Sequence, residues 1–290
     1  MTFEPSQAPE ILRRDGDDTM GVLMESQAQV PQGIDAERPS AARVYDFLLG
    51  GAHNFGPDRH VAERLLAVDP GAPRTAHENR AFLRRAVEYL VGAGVRQFLD
   101  IGSGIPTVGH VHEIAQRAAA DARVVYVDID PIAVAHSRHI LGDNRGTAVI
   151  QEDFRRPEQI LDHPDVRRLL DFEQPVAVLL VALLHLISDT DDPTRVLARL
   201  TQHVPSGTYL VLSHLTEEGT ATVTTGKDIF RHAGIELTPR TRRQIEAFFS
   251  GWDLLEPGLV WAPQWHPERP EDVGEEPGST GIYAGVARKP

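Results

Sequence analysis

Residues 97–107 of this chain read QFLDIGSGIPT, and this stretch decides the fold. An apolar strand carries Asp100 at its end, and the chain then turns on Gly102 and Gly104 into a predicted helix. A second apolar run ends in another carboxylate, Asp128. This spacing predicts a strand-helix-strand unit of the type that binds a cofactor with an adenosine group.

The composition is that of an ordinary globular protein, and it excludes several functions. The 290 residues are 41% apolar and 24% charged, enough for one large domain with an appendage. No apolar run is long enough to cross a bilayer and no leader opens the chain, which predicts a cytoplasmic protein without membrane contact. The chain has no cysteine, which excludes thiolate zinc sites and cysteine nucleophiles.

The net charge argues against nucleic acid as a partner. It is −13, whereas a phosphate backbone is held by excess lysine and arginine. A local basic face around Arg240, Arg242 and Arg243 is the remaining alternative. The sequence gives no indication of the oligomeric state.

Periodicity divides the chain into three predicted segments. Residues 1–37 lack regular periodicity and are predicted to form a disordered acidic tail. Residues 38–94 have helical periodicity, and we expect them to form a helical prelude that covers the cofactor. Residues 95–290 alternate strands with helices, which predicts an α/β, Rossmann-like domain with a parallel sheet. The predicted strands lie near 95–101, 123–128, 147–152, 176–182 and 208–214, and the predicted helices near 107–119, 131–141, 157–170, 193–203 and 241–249. Residues 252–261 and 282–287 are expected to form a closing hairpin.

Three carboxylates follow three successive strands of the predicted sheet. Because the carboxyl ends of parallel strands meet at one edge, Asp100, Asp128 and Asp153 are expected to lie around one site. Asp100 would face a cationic group, Asp128 would accept hydrogen bonds from ribose hydroxyls, and Asp153-Phe154 would contact an adenine ring. Each carboxylate alone could equally be a capping or turn residue.

The loop favours S-adenosylmethionine over a nicotinamide dinucleotide. A dinucleotide fingerprint has a third glycine where this chain has Thr107, and Asp100 would lie awkwardly beside a pyrophosphate. An NAD-dependent oxidoreductase is the second candidate. A regulatory protein that binds S-adenosylmethionine without catalysis is the third.

The chain resembles the class I S-adenosylmethionine-dependent methyltransferases at residues 98–104, 125–128 and 152–154. It is more similar still to an actinobacterial methyltransferase family of unassigned substrate, in the segments ARVYDFLLGG (42–51), NRAFL (79–83) and VVYVDIDP (124–131). The resemblance covers about residues 38–288. It implies a seven-stranded, mostly parallel sheet with an antiparallel last strand, and cofactor contacts from Gly102, Asp128 and Asp153. Ile105-Pro106 departs from the commonest glycine-rich loop.

These observations give one set of candidate site residues. Arg43 and Tyr45 belong to it because the prelude could fold over the methionine end of the cofactor; the alternative is that its arginines form surface ion pairs. The residues expected to contact S-adenosylmethionine are Arg43, Tyr45, Asp100, Gly102, Ser103, Gly104, Asp128, Ile129, Asp153 and Phe154.

Methyl transfer depends mainly on alignment of the nucleophile, methyl and sulfur, and a general base helps some acceptors. His185 follows the fourth strand and His214 ends the fifth. They are the candidate catalytic residues, although strand-end histidines are often structural. No metal is expected, because His110 and His112 are predicted to face different ways on a helix and no metal motif occurs. The expected acceptor is a small molecule.

Overall fold

The computed structural model describes residues 35–105, 109–218 and 222–290, so all but the last three residues of the predicted tail lie outside the described residues. The helices are α1 (Ala41–Leu48), α2 (Gly56–Val68), α3 (Ala72–Gly92), α4 (Val111–Ala118), α5 (Pro131–Leu141), α6 (Pro157–Asp162), α7 (Pro164–Leu169), α8 (Pro193–Thr201), α9 (Thr222–His232) and α10 (Arg242–Glu246). The strands are β1 (Gln97–Ile101), β2 (Arg123–Asp128), β3 (Thr147–Gln151), β4 (Ala177–Val181), β5 (Tyr209–Leu215), β6 (Asp253–Leu254), β7 (Val260–Trp261) and β8 (Ile282–Arg288).

The strands form a single sheet in the order β3-β2-β1-β4-β5-β8-β6, and β7 also pairs with β8. Strands β1 to β5 pair in parallel, and β8 is antiparallel to β5, which confirms the Rossmann-like prediction. The strand order reverses between β1 and β4, and in such sheets ligands bind beyond the strand ends at this point.

The closing hairpin is more divided than expected, so the described sheet has eight strands rather than seven. The segment 252–261 forms two two-residue strands, β6 and β7, because Pro257 and Gly258 interrupt it. Proline has no N–H to donate to a ladder, and Gly258 adopts a φ of 86°.

The helices agree with the predicted pattern at most positions, with three differences. The predicted helix 157–170 is divided into α6 and α7, because Pro164 forces the preceding residue into an extended conformation. Helix α4 begins at Val111 rather than at 107. Helix α9 was not expected, because its sequence has few apolar residues and an internal glycine.

The sheet separates two large apolar cores. Alternate residues of each strand point to opposite faces, so Leu99 and Val125 enter one core while Phe98 and Val124 enter the other. Helices α6, α7, α8 and α10 pack on the first face, and α3, α4 and α5 on the second.

Helices α1, α2 and α9 form a separate layer, which we call the helical cover. Its small core contains Val44 from α1, Val61 and Ala62 from α2, and Ile229 from α9. A Cβ at Gly226 of α9 would lie 3.3 Å from the Leu65 side chain, so α9 packs closely on α2. The cover lies over the carboxyl edge of the sheet, where the cavity described next is found.

None of the helices in the described ranges is both long enough and apolar enough to cross a membrane.

Candidate functional site

A cavity of about 740 Å³ lies at the carboxyl edge of the parallel strands. Small-molecule sites typically enclose about 300–1,000 Å³, so this cavity is large enough for a cofactor-sized ligand. Its walls come from the loops after β1, β2, β3 and β4, from the helical cover, from α3 and from residues 279–282. It is lined by every residue of the predicted cofactor set, namely Arg43, Tyr45, Asp100, Gly102, Ser103, Gly104, Asp128, Ile129, Asp153 and Phe154.

The glycine loop after β1 is folded tightly against the end of β2. Gly102 and Gly104 adopt φ values of 71° and 67°, a region that favours glycine. A Cβ at Gly102 would lie 2.6 Å from Leu183 Cδ1, so a larger residue would also clash there. The Gly102 N–H donates to Val127 O at 2.8 Å, and the Gly104 N–H donates to Asp128 Oδ2 at 2.7 Å.

Asp128 anchors this loop and retains capacity for a ligand. Its Oδ1 accepts a hydrogen bond from the Asp130 N–H at 2.8 Å. Burial raises the pKa of Asp128 to about 6, although the backbone hydrogen bonds from Asp130 and Gly104 oppose this rise. An ionised carboxylate has about four acceptor positions, so ligand hydroxyls can still bind it.

Asp100 is a buried carboxylate at the edge of the cavity. Of the residues that the structure describes, none donates a hydrogen bond to the Asp100 side chain, and the residue as a whole is 5% exposed. Burial raises its pKa to about 7; nearby Arg80 lowers the pKa and Asp128 raises it further. Such a carboxylate is stabilised by a cation that enters the cavity.

Two more polar atoms beside Asp100 lack partners within the described part of the chain. They are Arg80 Nε and Ser103 Oγ, and both are fully buried. The Arg80 guanidinium lies 5.8 Å from the centre of the Tyr45 ring, and its Nη2 is 3.5 Å from Ile105 O. Arg80 was missing from the predicted set, although the segment 79–83 that supports the resemblance contains it.

Three residues after β3 and β2 differ from Asp100, because one is a paired carboxylate and the other two are apolar. Burial acts to raise the pKa of Asp153, but hydrogen bonds from Arg155, the shortest 2.7 Å, outweigh it and lower the pKa. Phe154 is buried beside it, and Ile129, in the loop after β2, is 57% exposed. Ile129 and Phe154 provide apolar surface that suits a flat ring.

Tyr45 belongs to a hydrogen-bond chain that joins the cover to the sheet. Its hydroxyl donates to Ala76 O at 3.0 Å and accepts from Asn79 Nδ2 at 2.8 Å. Asn79 Oδ1 accepts from Ser213 Oγ at 2.5 Å, and Ser213 Oγ accepts from the Ala182 N–H at 2.9 Å. The chain therefore runs from α1 through α3 to the ends of β5 and β4.

Arg43 is held in a buried ion pair. Its Nε donates to Asp58 Oδ2 at 2.9 Å, and both side chains are almost completely buried. The Ser40 N–H donates to Asp58 at 2.9 Å, and the Ser40 hydroxyl donates to Asp130. Since Asp130 caps α5 next to Asp128, these contacts attach the cover to the sheet edge.

The two candidate histidines are in contact, but His185 alone lines the cavity. Their rings are 5.4 Å apart. His214 is occupied on both nitrogens: Nδ1 donates to Leu215 O at 2.6 Å, and Nε2 accepts from Arg240 Nη1 at 2.9 Å. Burial lowers the pKa of His214 to about 3.

Of the three arginines of the predicted basic face, Arg242 and Arg243 are exposed, but Arg240 is only 3% exposed and cannot contribute to a surface. Its guanidinium donates to Asp189 at 2.7 Å, to Leu184 O at 2.7 Å and to Ile187 O at 2.9 Å. Arg240 therefore fixes the turn that follows β4.

Away from the carboxylates, the cavity wall becomes apolar. This half is formed by the cover and by the segment after α9, and it includes Leu48, Leu65, Phe230, Ile235 and Leu237.

The expectation that His110 and His112 face different ways is wrong. Their rings are stacked 5.4 Å apart, because His110 is the extended residue before α4 and is not part of the helix. Within residues 35–105, 109–218 and 222–290, no group of three or more His, Cys, Asp or Glu side chains is arranged to bind a metal.

Comparisons with known proteins agree with this geometry. Residues 27–290 match a family model described as S-adenosyl methyltransferase. A DUF574 family protein from Streptomyces avermitilis is 38% identical; the match covers 88% of this chain and 99% of that chain, with a TM-score of 0.85. A Thermobifida fusca protein provisionally described as a methyltransferase is 42% identical; the match covers 90% of this chain and 99% of that chain, also with a TM-score of 0.85. No curated protein matches the sequence.

Proposed function

The chain belongs to the S-adenosyl methyltransferase family, and from this premise we propose that it methylates a small molecule held in the apolar half of the cavity. The family establishes an enzyme that uses S-adenosylmethionine, so the oxidoreductase and the non-catalytic alternatives are set aside. The proposal concerns the acceptor and the roles of individual residues.

The described residues fit S-adenosylmethionine because the polar half of the cavity is left unsatisfied. Asp100 has no donor from the described chain, and Arg80 Nε and Ser103 Oγ are buried without partners. A ligand with an ammonium, a carboxylate and a sulfonium complements these groups. When bound, the cofactor supplies an activated methyl group whose transfer needs alignment more than covalent help.

We assign the cofactor contacts to two groups of residues. Asp100 and Arg80 hold the cationic and anionic ends of the methionine part, and Asp128 accepts hydrogen bonds from the ribose. Ile129 and Phe154 hold the adenine ring. Arg155 already donates a hydrogen bond to the Asp153 carboxylate at 2.7 Å. The predicted hydrogen bond from adenine would therefore have to bind the same carboxylate as Arg155.

The predicted contacts of Arg43 and Tyr45 are reassigned in this proposal. Both side chains line the cavity, but Arg43 Nε is already bonded to Asp58. The Tyr45 hydroxyl is already bonded to Ala76 and Asn79. We propose that they position the helical cover and act on the cofactor through it. His214 likewise positions the wall behind His185.

One observation carries the proposal for a small acceptor: the polar and apolar halves belong to one continuous cavity of about 740 Å³. The apolar half is walled by the helical cover and by the segment after α9, a setting that suits a small molecule. The net charge of −13 also disfavours a nucleic-acid acceptor.

The test is transfer of a labelled methyl group from S-adenosylmethionine into a cell extract separated into small-molecule, protein and RNA fractions. We expect label in the small-molecule fraction with the full-length protein and little with Asp128→Asn. Label confined to protein or RNA would overturn the proposal. Calorimetry with S-adenosylhomocysteine and with NAD provides the control, and we expect heat from the former alone.

A further inference from the structure

His185 is fixed in the cavity wall by two backbone amides. It lies in the turn after β4, close to Ala182, whose φ of 56° is unusual for a residue other than glycine. The Thr238 N–H donates to the His185 carbonyl at 2.7 Å, and the Leu215 N–H donates to its Nδ1 at 3.2 Å. Both the backbone and the ring are therefore held by groups that do not lose their protons.

The bond from Leu215 determines where the ring proton lies. A neutral histidine has one protonated nitrogen and one acceptor nitrogen. Since Nδ1 accepts from an amide, it carries the lone pair, and the proton is on Nε2. A second proton on Nδ1 would point at the Leu215 N–H, so the ring cannot act as a base without losing this bond.

The surroundings of the ring also oppose a positive charge. His214 lies edge-on to it, and Arg240 donates to His214 Nε2 at 2.9 Å. Asp189, which pairs with Arg240 at 2.7 Å, is the negative group in this cluster. Burial, reinforced by His214 and Arg240, lowers the pKa of His185 well below its ordinary value.

The Nε2–H group is available to a ligand. No residue in the described ranges forms a hydrogen bond with Nε2, and His185 lines the cavity together with Leu186, Leu215 and Leu237. Those neighbours offer no acceptor from their side chains. A donor in such surroundings is satisfied when the ligand brings an acceptor atom.

We propose that His185 binds the methyl acceptor as a hydrogen-bond donor through Nε2–H and takes no proton from it. The acceptor is then a largely apolar molecule that presents an oxygen with a free lone pair to this wall. This inference rests on the proposed function, because it requires a small acceptor in the cavity. His185 is accordingly a residue that determines specificity.

The first test measures the ring itself, on the full-length protein without an acceptor. Two-bond ¹H–¹⁵N correlation spectra of protein with labelled histidine distinguish the tautomers, and comparison with His185→Gln identifies the signal. We expect a neutral Nε2–H ring from about pH 5.5 to 8. An Nδ1–H tautomer, or protonation within that range, would overturn the proposal.

The second test compares two variants in the labelled-methyl assay with the small-molecule extract. His185→Gln keeps an N–H donor but has no basic nitrogen, whereas His185→Leu has neither. We expect the glutamine variant to stay within about tenfold of the wild-type rate and the leucine variant to fall by about a hundredfold or more. Affinity for S-adenosylhomocysteine should be unchanged in both, which also shows that they are folded.

Two results would contradict the proposed role of His185 or the function on which it rests. If both variants lose activity alike, and the wild-type rate falls on acidification with a step that both variants lack, His185 acts as a base. Absence of any labelled small molecule with the wild type would overturn the proposed function and the acceptor part of this inference. The tautomer would still be decided by the spectra.

Discussion

The helical cover and the sheet edge both bury charged side chains around one cavity, but they treat the charges in opposite ways. In the cover, Arg43 and Asp58 lie 2.9 Å apart and neutralise each other. At the sheet edge, Asp100 has no donor from the described residues, and Asp128 is held by backbone amides alone. The buried ion pair therefore holds the cover in place, whereas we propose that the carboxylates without an ionic partner bind the ligand.

This contrast changes the interpretation of the segment 42–51. It is the most distinctive part of the resemblance, and it contains Arg43 and Tyr45, which were expected to touch the cofactor because the prelude could fold over it. The structure shows that Asp46 accepts hydrogen bonds from the His53 N–H and Asn54 Nδ2, each at 2.9 Å. A Cβ at Gly51 would lie 2.1 Å from Asp46 Oδ1, so the second glycine is required by this turn. We propose that the segment mainly serves the folding of the cover.

The largest effect expected from this contrast is on stability. Arg43→Met leaves the Asp58 carboxylate buried without its cation, and we expect the free energy of unfolding to fall by about 3–5 kcal/mol. Urea denaturation measures it. The matched control is Arg43→Met combined with Asp58→Asn, which removes both charges and should recover much of the loss. A single variant as stable as the wild type would show that the pair does not hold the cover.

The next largest effect is also on stability, but here the substitution, at Asp100, is expected to stabilise the protein. The folded-state pKa of Asp100 is raised to about 7 from an ordinary value of 3.8, so the ligand-free fold binds this proton more tightly than the unfolded chain. Stability therefore falls as the pH rises from about 4 to about 7. Asp100→Asn removes the ionisation and should stabilise the ligand-free protein by about 2–3 kcal/mol at pH 8, with no gain near pH 4.

Denaturation at the two pH values tests this prediction, and calorimetry tests its functional counterpart. We expect Asp100→Asn to weaken binding of S-adenosylmethionine while it stabilises the fold. A variant that loses stability at pH 8 would mean that Asp100 is a structural residue like Asp58, and the contrast between the two regions would fail.

A smaller effect is expected at the ribose position. Asp128→Asn should weaken S-adenosylhomocysteine binding by about 10- to 100-fold, which corresponds to hydrogen bonds with a charged group. Calorimetry measures the affinity, and a melting curve shows whether the loop remains folded. The matched comparison is Asp153→Asn, whose carboxylate already pairs with Arg155 at 2.7 Å. An equal loss of affinity in both variants would show that a carboxylate paired with an arginine contributes to cofactor binding as much as one without such a partner.

The smallest effect sharpens the comparison at Tyr45. Tyr45→Phe removes the donor to Ala76 O and the acceptor for Asn79, and it should cost about 1 kcal/mol of stability. We expect the affinity for S-adenosylhomocysteine to change by less than about threefold. A larger fall in affinity would support the sequence-based expectation that Tyr45 contacts the cofactor.

Strands and their terminal carboxylates could be predicted because they depend on short-range pattern. The apolar runs that became β1 to β5 are bounded by turns, and parallel pairing then brings Asp100 and Asp128 to one edge. Helix α9 escaped prediction because it gains its stability from packing on α2, at Gly226 and Ile229. The contact joins segments that are far apart in the sequence, so the pattern of residues within α9 does not predict it.

The partners of individual side chains also could not be predicted from the sequence. Arg43 and Asp58 are 15 residues apart, and nothing in their spacing distinguishes a buried pair from two exposed charges. His185 and His214 occupy similar positions at strand ends, yet one lines the cavity and the other is enclosed. That difference depends on which backbone and guanidinium groups meet each ring, and only the folded arrangement determines it.

The separate small core beneath α9 has a consequence for the history of this enzyme. Ile229 packs with Val44, Val61 and Ala62, and it belongs to neither of the two large cores of the sheet. We therefore expect substitutions on the cavity side of this helix, at Val223 and Phe230, to leave the two cores of the sheet undisturbed. Descendants of one ancestor could diverge in the compounds they modify by exchanging a few side chains on a single helix, while inheriting the rest of the machinery unchanged.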